Sequence, residues 1–312
     1  LVALFSKSFS STVVILGSLL LGLVLPQVGL LWSSFTLVIL AIMMFLVSLT
    51  IEPSKIAPAV KSHKIVVFAT FTIFVVPSLL GLFALPLFSS IEYAAIALAM
   101  CAPSAVSSIF WCDMFRGNAA LALVLSVVAN LLSIVVMPTV MLLAVGMFIP
   151  IDVVSIVRNL LFLIVLPLFA GQLLRKIFPQ KIKMVTARNG TAQLVLLVFL
   201  LWGAVSPGAA YATANLGLFA LFNVFIFCIL GLTFLITYVL GRHFGHSQAI
   251  ALSLVSTHKN ATLAIVVGGL LFGPIALPPL IANLVAQNIL LIPARVAVDR
   301  VNKNEPVVCN VP

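Results

Sequence analysis

Ten apolar stretches, each near the roughly 20 residues that a helix needs to cross about 30 Å of hydrocarbon, fill most of this chain. They fall at 10–27, 30–51, 65–87, 92–115, 119–146, 153–174, 191–207, 216–241, 247–272 and 277–297. Only 7% of the 312 residues are charged and 63% are hydrophobic, with a mean hydropathy of +1.34. A soluble domain carries about 25% charged residues, and no water-facing fold buries so large an apolar excess. In lipid, every backbone N–H and C=O must be paired without help from water, which leaves helices for runs of this length. The sequence therefore predicts an all-α polytopic membrane protein of ten transmembrane helices.

The first run, "STVVILGSLLLGLVLP" after Lys7, has the length of a signal-peptide core. No small-x-small site follows it and a second apolar run begins at once, so it is read as the first span. The net charge of +10 is scattered in short clusters between spans, which argues against a nucleic-acid partner. Cys101, Cys112, Cys228 and Cys309 form no CxxC or Cys/His pattern, so no metal or other cofactor is expected from them.

The clusters give an orientation. Lys7; Lys55, Lys61 and Lys64; Arg116; Arg175, Lys176, Lys181, Lys183 and Arg188; Arg242; and Arg295, Arg300 and Lys303 make up 14 of the 16 Lys and Arg. All lie at a terminus or at a connection from an even span to an odd one, while the opposite connections hold Glu92 and Asp152. The positive-inside rule then places both termini in the cytoplasm, in a plasma membrane of prokaryotic inner-membrane type. Arg158 departs from this pattern but sits within two turns of a helix end, from which it can snorkel. Lys259 has no such escape.

Two halves of five spans recur in matching order. "VLP" occurs at 24–26 and 165–167; Gly117 precedes Pro138 by twenty-one residues, and Gly273 precedes Pro293 by twenty. The fourth span of each half carries a polar interruption, "CAPSAVSS" at 101–108 and "STHKNAT" at 256–262. Five helices per half invert the second copy, so an inverted-topology repeat is expected. Breaks of this kind free backbone groups that survive in the bilayer only inside protein or beside a wet cavity. Crossed near the midplane, two breaks direct helix N-termini toward anions, and unwound carbonyls toward cations. Taken alone, "CAPSAVSS" reads equally as a plain proline kink at Pro103. "STHKNAT" does not, because a lysine at the centre of a span costs about 2.5–3.5 kcal/mol even on lenient scales.

The stretches "CAPSAVSSIFWCDMFRGNAALALVLSVVANLLSIVVMPTV" and "STHKNATLAIVVGGLLFGPIALPPLIANLVAQNIL" carry a resemblance. Through them the chain resembles the bile acid:sodium symporter family over nearly its whole length. The resemblance implies helices 4 and 9 broken and crossing. It also implies a panel domain at 1–51 and 153–207, a core domain at 65–146 and 216–297, and a cytoplasmic tail at 298–312. An organic-anion substrate would sit between panel and core and move by alternating access, with the lipid bilayer as solvent. Arsenite-efflux permeases share the superfamily fold.

Departures from the family pattern bear on the coupling ion. Where sodium-coupled members place a glutamate and, four residues on, a glutamine, this chain has Val255 and Lys259. The family's helix 3 glutamine is matched by Thr72, its helix 4 asparagine by Ile109, and two helix 5 positions by Ala122 and Ser126; Ser108 and Asn260 are retained. A cation site, or an ammonium standing in for the cation, is therefore expected among Thr72, Ser108, Ser126, Val255 and Lys259. Substrate contacts are expected from Ser107, Ser108, His258, Asn260, Thr262, Gln287 and Asn288, with Asn130 as a further candidate. Gln287 and Asn288 also read as glue between helices. Sodium coupling of the usual kind is not expected, since no carboxylate lies mid-span. A Lys259 able to lose its proton offers proton coupling; one that cannot is a fixed charge for facilitated anion transport.

Other classes compete with this reading: a conventional sodium symporter with altered sites, an exporter of oxyanions or organic acids, and a channel. A retinal-type chromophore protein would use Lys259 but lacks an intramembrane counter-ion. An intramembrane hydrolase would use Ser108 or Ser256 with His258, without an orienting acid, so the chain is not expected to be an enzyme. A positive site fits bile salts, steroid sulfates, short hydroxy acids and oxyanions alike, and nothing in the sequence bears on oligomeric state.

Overall fold

The structure is a computed structural model and describes residues 2–51, 63–186 and 189–304. Lys55 and Lys61, Arg188 and the end of the tail at 305–312 lie outside the described residues. Among the described residues the chain is helical, without a β-strand. We number the main helices α1 Val2–Val24, α2 Ser33–Ser48, α3 His63–Ala84, α4 Ser90–Cys101, α5 Ser107–Met114 and α6 Ala119–Val145. They continue as α7 Val153–Ile177, α8 Gly190–Ala214, α9 Leu216–Phe244, α10 His246–Thr257, α11 Ala261–Phe272 and α12 Pro274–Val301.

Six of these, α3, α6, α7, α8, α9 and α12, are long and apolar enough to cross a membrane. Val13–Val24 of α1, together with α2, α4 and α11, are apolar but shorter. Large apolar side chains face outward along the long helices, among them Val135, Leu143, Phe169 and Leu235. Such a surface suits hydrocarbon, and the protein is an integral membrane protein.

Side chains chosen at helix ends set several boundaries. Glu92 and Ser89 close a capping box at α4, and the side chains of Asn118, Asp152 and Asn260 accept backbone N–H groups at the starts of α6, α7 and α11. Gly273, with φ +74°, turns the chain between α11 and α12, a left-handed conformation that favours glycine.

The structure departs from the expected spans in three places. The first span stops at Val24, and Pro26 opens a separate short helix, Pro26–Leu30; a proline inside a helix removes an N–H and clashes one turn back. The seventh runs past the expected end at 207, because Pro207 is absorbed in a 3₁₀ turn at Ser206–Gly208 and the helix resumes to Ala214. The third widens into a π-turn at Phe71–Val75 just before Pro77, and α7 repeats this at Leu161–Val165 before Pro167.

Helices α1, α2, α7 and α8 are tied by side chains reaching across to carbonyls. Trp32 Nε1 donates to Phe199 O at 2.9 Å and Trp202 Nε1 to Leu25 O at 3.1 Å. At the far end of α2, Gln172 Nε2 donates to Ser48 O at 2.6 Å and Arg175 to Leu49 O at 2.6 Å. The carbonyls of Ser48 and Leu49 lie at the end of α2, where intrahelical partners run out. A second body of packing joins α4, α6, α9, α10, α11 and α12 around a buried cluster that includes Ile96, Leu98, Leu252 and Ile281.

Candidate functional site

The two polar interruptions meet. Residues 102–106 separate α4 from α5, and 258–260 separate α10 from α11. Ser104 and Lys259 form an isolated antiparallel β-bridge. Ala105 N donates to His258 O at 2.9 Å, and Asn260 N donates to Pro103 O at 2.7 Å. Each break thus supplies the partners that the other lacks, which is how non-helical backbone is tolerated at this depth. Gln287 of α12 adds a third strut, its Oε1 accepting from Lys259 N at 3.0 Å.

Lys259 is fully buried. Its ammonium turns toward α3 and donates to the carbonyl of Ile73. The local sequence explains that acceptor. In an α-helix the carbonyl of Ile73 would take the N–H four residues on, but that residue is Pro77, which has none. One turn away, Ser256 Oγ donates to Thr72 Oγ1 at 2.9 Å, and Thr72 donates on to Ala69 O at 3.2 Å. Val255 is buried with no polar group to offer.

Ser108 and Ser126 lie together, joined by Ser104. The three hydroxyls lie 3.1, 3.1 and 3.2 Å apart, and Asn130 Nδ2 donates to the carbonyls of Ser104 at 3.0 Å and Ser126 at 2.8 Å. Asn130 Oδ1 is buried without a partner. No group of three or more His, Cys, Asp or Glu is placed to hold a metal ion among the described residues.

The other predicted residues surround a cavity of about 790 Å³. One wall is mostly apolar, from Ile15, Leu40, Met43, Met44, Leu197 and Leu201, with Thr191 and Gln193 of α8 beside them. The other is the pair of breaks, contributing Ser107, His258, Lys259, Asn260 and Thr262, with Gln287 and Asn288 of α12. Helix α3 contributes nothing to this lining, so the Lys259 ammonium lies behind the break. Asn260 Oδ1 accepts from Leu263 N at 3.2 Å and from Thr262 Oγ1 at 2.9 Å. His258 packs edge-to-face on Trp111, with ring centroids 6.2 Å apart, and its Nδ1 has no partner. Asn288 Nδ2 donates back to Leu284 O at 2.7 Å, and its Oδ1 is buried without a partner. Ser256 and His258 turn to different partners and do not touch each other as a nucleophile and base would.

Four features escaped the sequence reading. Met43 and Met44 of α2 line the apolar wall and Trp111 of α5 lies beside His258 on the other; their spacing was visible, but nothing in it distinguished cavity from lipid. Asn283, one turn before Gln287, is fully buried with both amide atoms unpartnered. The carbonyl of Ile73 was findable from Pro77 alone, by counting back four. Ser104 was within the quoted break but carried no family signal.

No curated protein matches this chain. A family model, described as the SBF-like CPA transporter family, matches residues 10–300. That span holds both broken helices, the cavity wall between them and every helix described above except the first turns of α1 and the end of α12. The match agrees with the resemblance that the two break sequences carried, which was to a bile acid:sodium symporter type. The protein belongs to the SBF-like CPA transporter family, a family of membrane transporters.

Proposed function

We propose that this protein is a secondary transporter that carries an amphipathic organic anion by alternating access and does not couple it to sodium in the usual way. In this reading the chain has ten spans in two inverted halves. The tied group α1, α2, α7 and α8 is the panel, the group built on the crossed breaks is the core, and the substrate lies between them. Both termini are cytoplasmic.

One observation carries the reading: one side of the cavity is mostly apolar and the other is built from the two breaks, with His258 and Asn288 in its lining beside the starts of α5 and α11. Behind that lining His258 Nδ1 and Asn288 Oδ1 are buried without partners, and such atoms cost free energy unless a rearrangement on binding a ligand or water completes them. The lining carries no carboxylate, and helix N-termini favour negative charge. A ligand with an apolar body and an anionic or hydrogen-bonding head fits such a wall.

The donor set does not suit a sodium ion where Lys259 sits. A hard cation asks for several oxygen ligands. Here Val255 stands where a carboxylate would, and an ammonium already takes the carbonyl of Ile73. Lys259 replaces a dissociable ion with a covalent one.

Thermal stabilisation of the purified protein by organic acids of graded apolar size, in sodium and in potassium, tests this. The expected result is stabilisation that rises with apolar size, is equal in the two salts, and is lost in His258→Ala and Asn288→Leu. Uptake into proteoliposomes that depends steeply on a sodium gradient would sink the uncoupled reading. Stabilisation by cations or neutral solutes alone would sink the anion.

A further inference from the structure

The cavity runs from the crossed breaks toward one end of the molecule only. Its lining on α8 extends from Gly190 to Leu201 and goes no further, and on α12 it does not pass outward beyond Leu284. Gly190 follows the basic connection that ends at Arg188, so the cavity opens toward the basic loops. At the opposite end the two groups of helices are pressed together. A Cβ on Gly208 of α8 would lie 2.7 Å from the Cβ of Leu277 and 3.2 Å from the carbonyl of Pro274, both on α12. Beside that seam lies Glu92, one of only six acidic residues in the chain and only 5% exposed. Its Oε2 accepts from Ser89 N at 2.9 Å and from Ser89 Oγ at 2.8 Å, within its own helix end. Its Oε1 accepts from the hydroxyl of Tyr211 at 2.8 Å, across from the last turns of α8.

We propose that the Tyr211–Glu92 hydrogen bond, set beside the Gly208–Leu277 seam, is a latch that closes the path at the end opposite the basic loops. The inference rests on the alternating-access reading above and adds the contact that must part for the far side to open. The chemistry suits a latch better than a permanent weld. A core contact between apolar side chains loses its whole contribution on separation. A tyrosine hydroxyl and a carboxyl oxygen exchange each other for water as they part, so the net difference between closed and open is small. The capping box holds Glu92 in place in either state, since it uses the other oxygen. Tyr211 is the moving half: it belongs to the helix that continues past Pro207 and is tied to α1 and α2 rather than to α4.

A cysteine reporter in the cavity tests the latch without knowledge of the substrate. Thr262→Cys is introduced in a Cys228→Ser, Cys309→Ser background and reconstituted in oriented vesicles. Its labelling by a membrane-impermeant maleimide is timed from each face. The unmodified latch is expected to give labelling chiefly from the basic-loop face. Tyr211→Phe, which removes one hydroxyl, is expected to raise labelling from the opposite face about tenfold, equivalent to about 1.4 kcal/mol, and to lower it from the basic-loop face. Gly208→Val, which wedges the same seam without touching the hydrogen bond, is expected to move the rates in the same direction. Equal rates in Tyr211→Phe and its parent overturn the latch, and they do so even if Gly208→Val opens the seam. A reporter that neither face can reach in any of these proteins overturns the alternating-access reading itself, and the latch with it. Both variants are compared with the parent for monodisperse elution, so that an unfolded protein is not scored as an open one.

Discussion

Replacing Lys259 by methionine keeps an unbranched side chain one atom shorter and removes the donor to Ile73. Two opposing terms follow. The carbonyl of Ile73 is left buried with neither Lys259 nor an N–H from residue 77, at a cost of about 1–3 kcal/mol. Against this, the chain no longer has to desolvate an ammonium, a gain of several kcal/mol in the limit. The sign of the single substitution therefore decides nothing. The coupling to Pro77 does. Pro77→Ala restores an N–H four residues after Ile73, so in that background Lys259→Met leaves no orphaned carbonyl. The double variant is expected to be more stable than the sum of the single effects by about 1–3 kcal/mol, the cost of the missing bond. Equilibrium unfolding of the four proteins in mixed detergent micelles measures the cycle. Effects that add within about 0.3–0.5 kcal/mol refute the reasoning, since they would place Lys259 and Pro77 in independent environments.

Three further substitutions probe neighbouring contacts. Gly171→Ala puts a Cβ 1.7 Å from Ser48 Oγ and 3.3 Å from Phe45 O, so it is expected to destabilise by about 1–3 kcal/mol and to be partly rescued by Ser48→Ala, as read from thermal midpoints. Ser126→Ala opens the hydroxyl triangle and leaves Ser104 and Ser108 as a pair; a cost of about 1 kcal/mol with unchanged anion stabilisation is expected, and lost stabilisation would place the triangle in the binding site. Asp152, exposed at the start of α7, accepts from Ser155 Oγ at 2.5 Å and from Ser155 N at 2.9 Å, and these bonds hold its carboxyl below the ordinary aspartate range. A lowered folded value means the cap is fully present above the unfolded value and is lost as pH falls through the folded one. Amide exchange over residues 153–158 is expected to speed up in that acid window and to lose the effect in Asp152→Asn.

The sequence made the two breaks legible because each rule that it violated was a strong one. Pro103 cannot continue a helix, and Lys259 cannot face hydrocarbon, so both positions demanded partners. That they would be each other's partner followed only from the inverted order of the halves. What composition could not reveal was direction. Lys259 was expected as an ammonium standing in for a cation, but which carbonyl would receive it was not visible. It lies toward α3, at the carbonyl of Ile73, four residues before a proline that has no N–H to give. The cavity wall was equally hidden: Met43 and Leu197 have the same hydropathy facing a cavity as facing lipid. The turn at Pro207 was misjudged for a similar reason, since a proline that stops one helix is carried through another when the break is taken up in a 3₁₀ turn.

A bound cation and a covalent one differ in what they let the environment control. A dissociable ion links the arrangement of the breaks to its own concentration, because binding stabilises the state that holds it by an amount that grows with the logarithm of that concentration. Lys259 makes the same kind of contact, from within the chain, at fixed stoichiometry. The bridge between Ser104 and Lys259 and the strut from Gln287 are then held whatever the salt outside. What remains free to bias the equilibrium between states, under the proposed function, is a ligand at His258 and Asn288 and the proposed latch at the far end of α8. Under the proposed function, the substrate gradient alone then sets the direction of transport unless Lys259 exchanges its proton. That exchange would require the ammonium to leave Ile73 in one of the two states, because a donor buried against a carbonyl has no path to water. Lys259→Arg separates the two cases: a guanidinium keeps its charge throughout, so proton-coupled uptake would be abolished by it, while uncoupled exchange would survive wherever the larger head is accommodated.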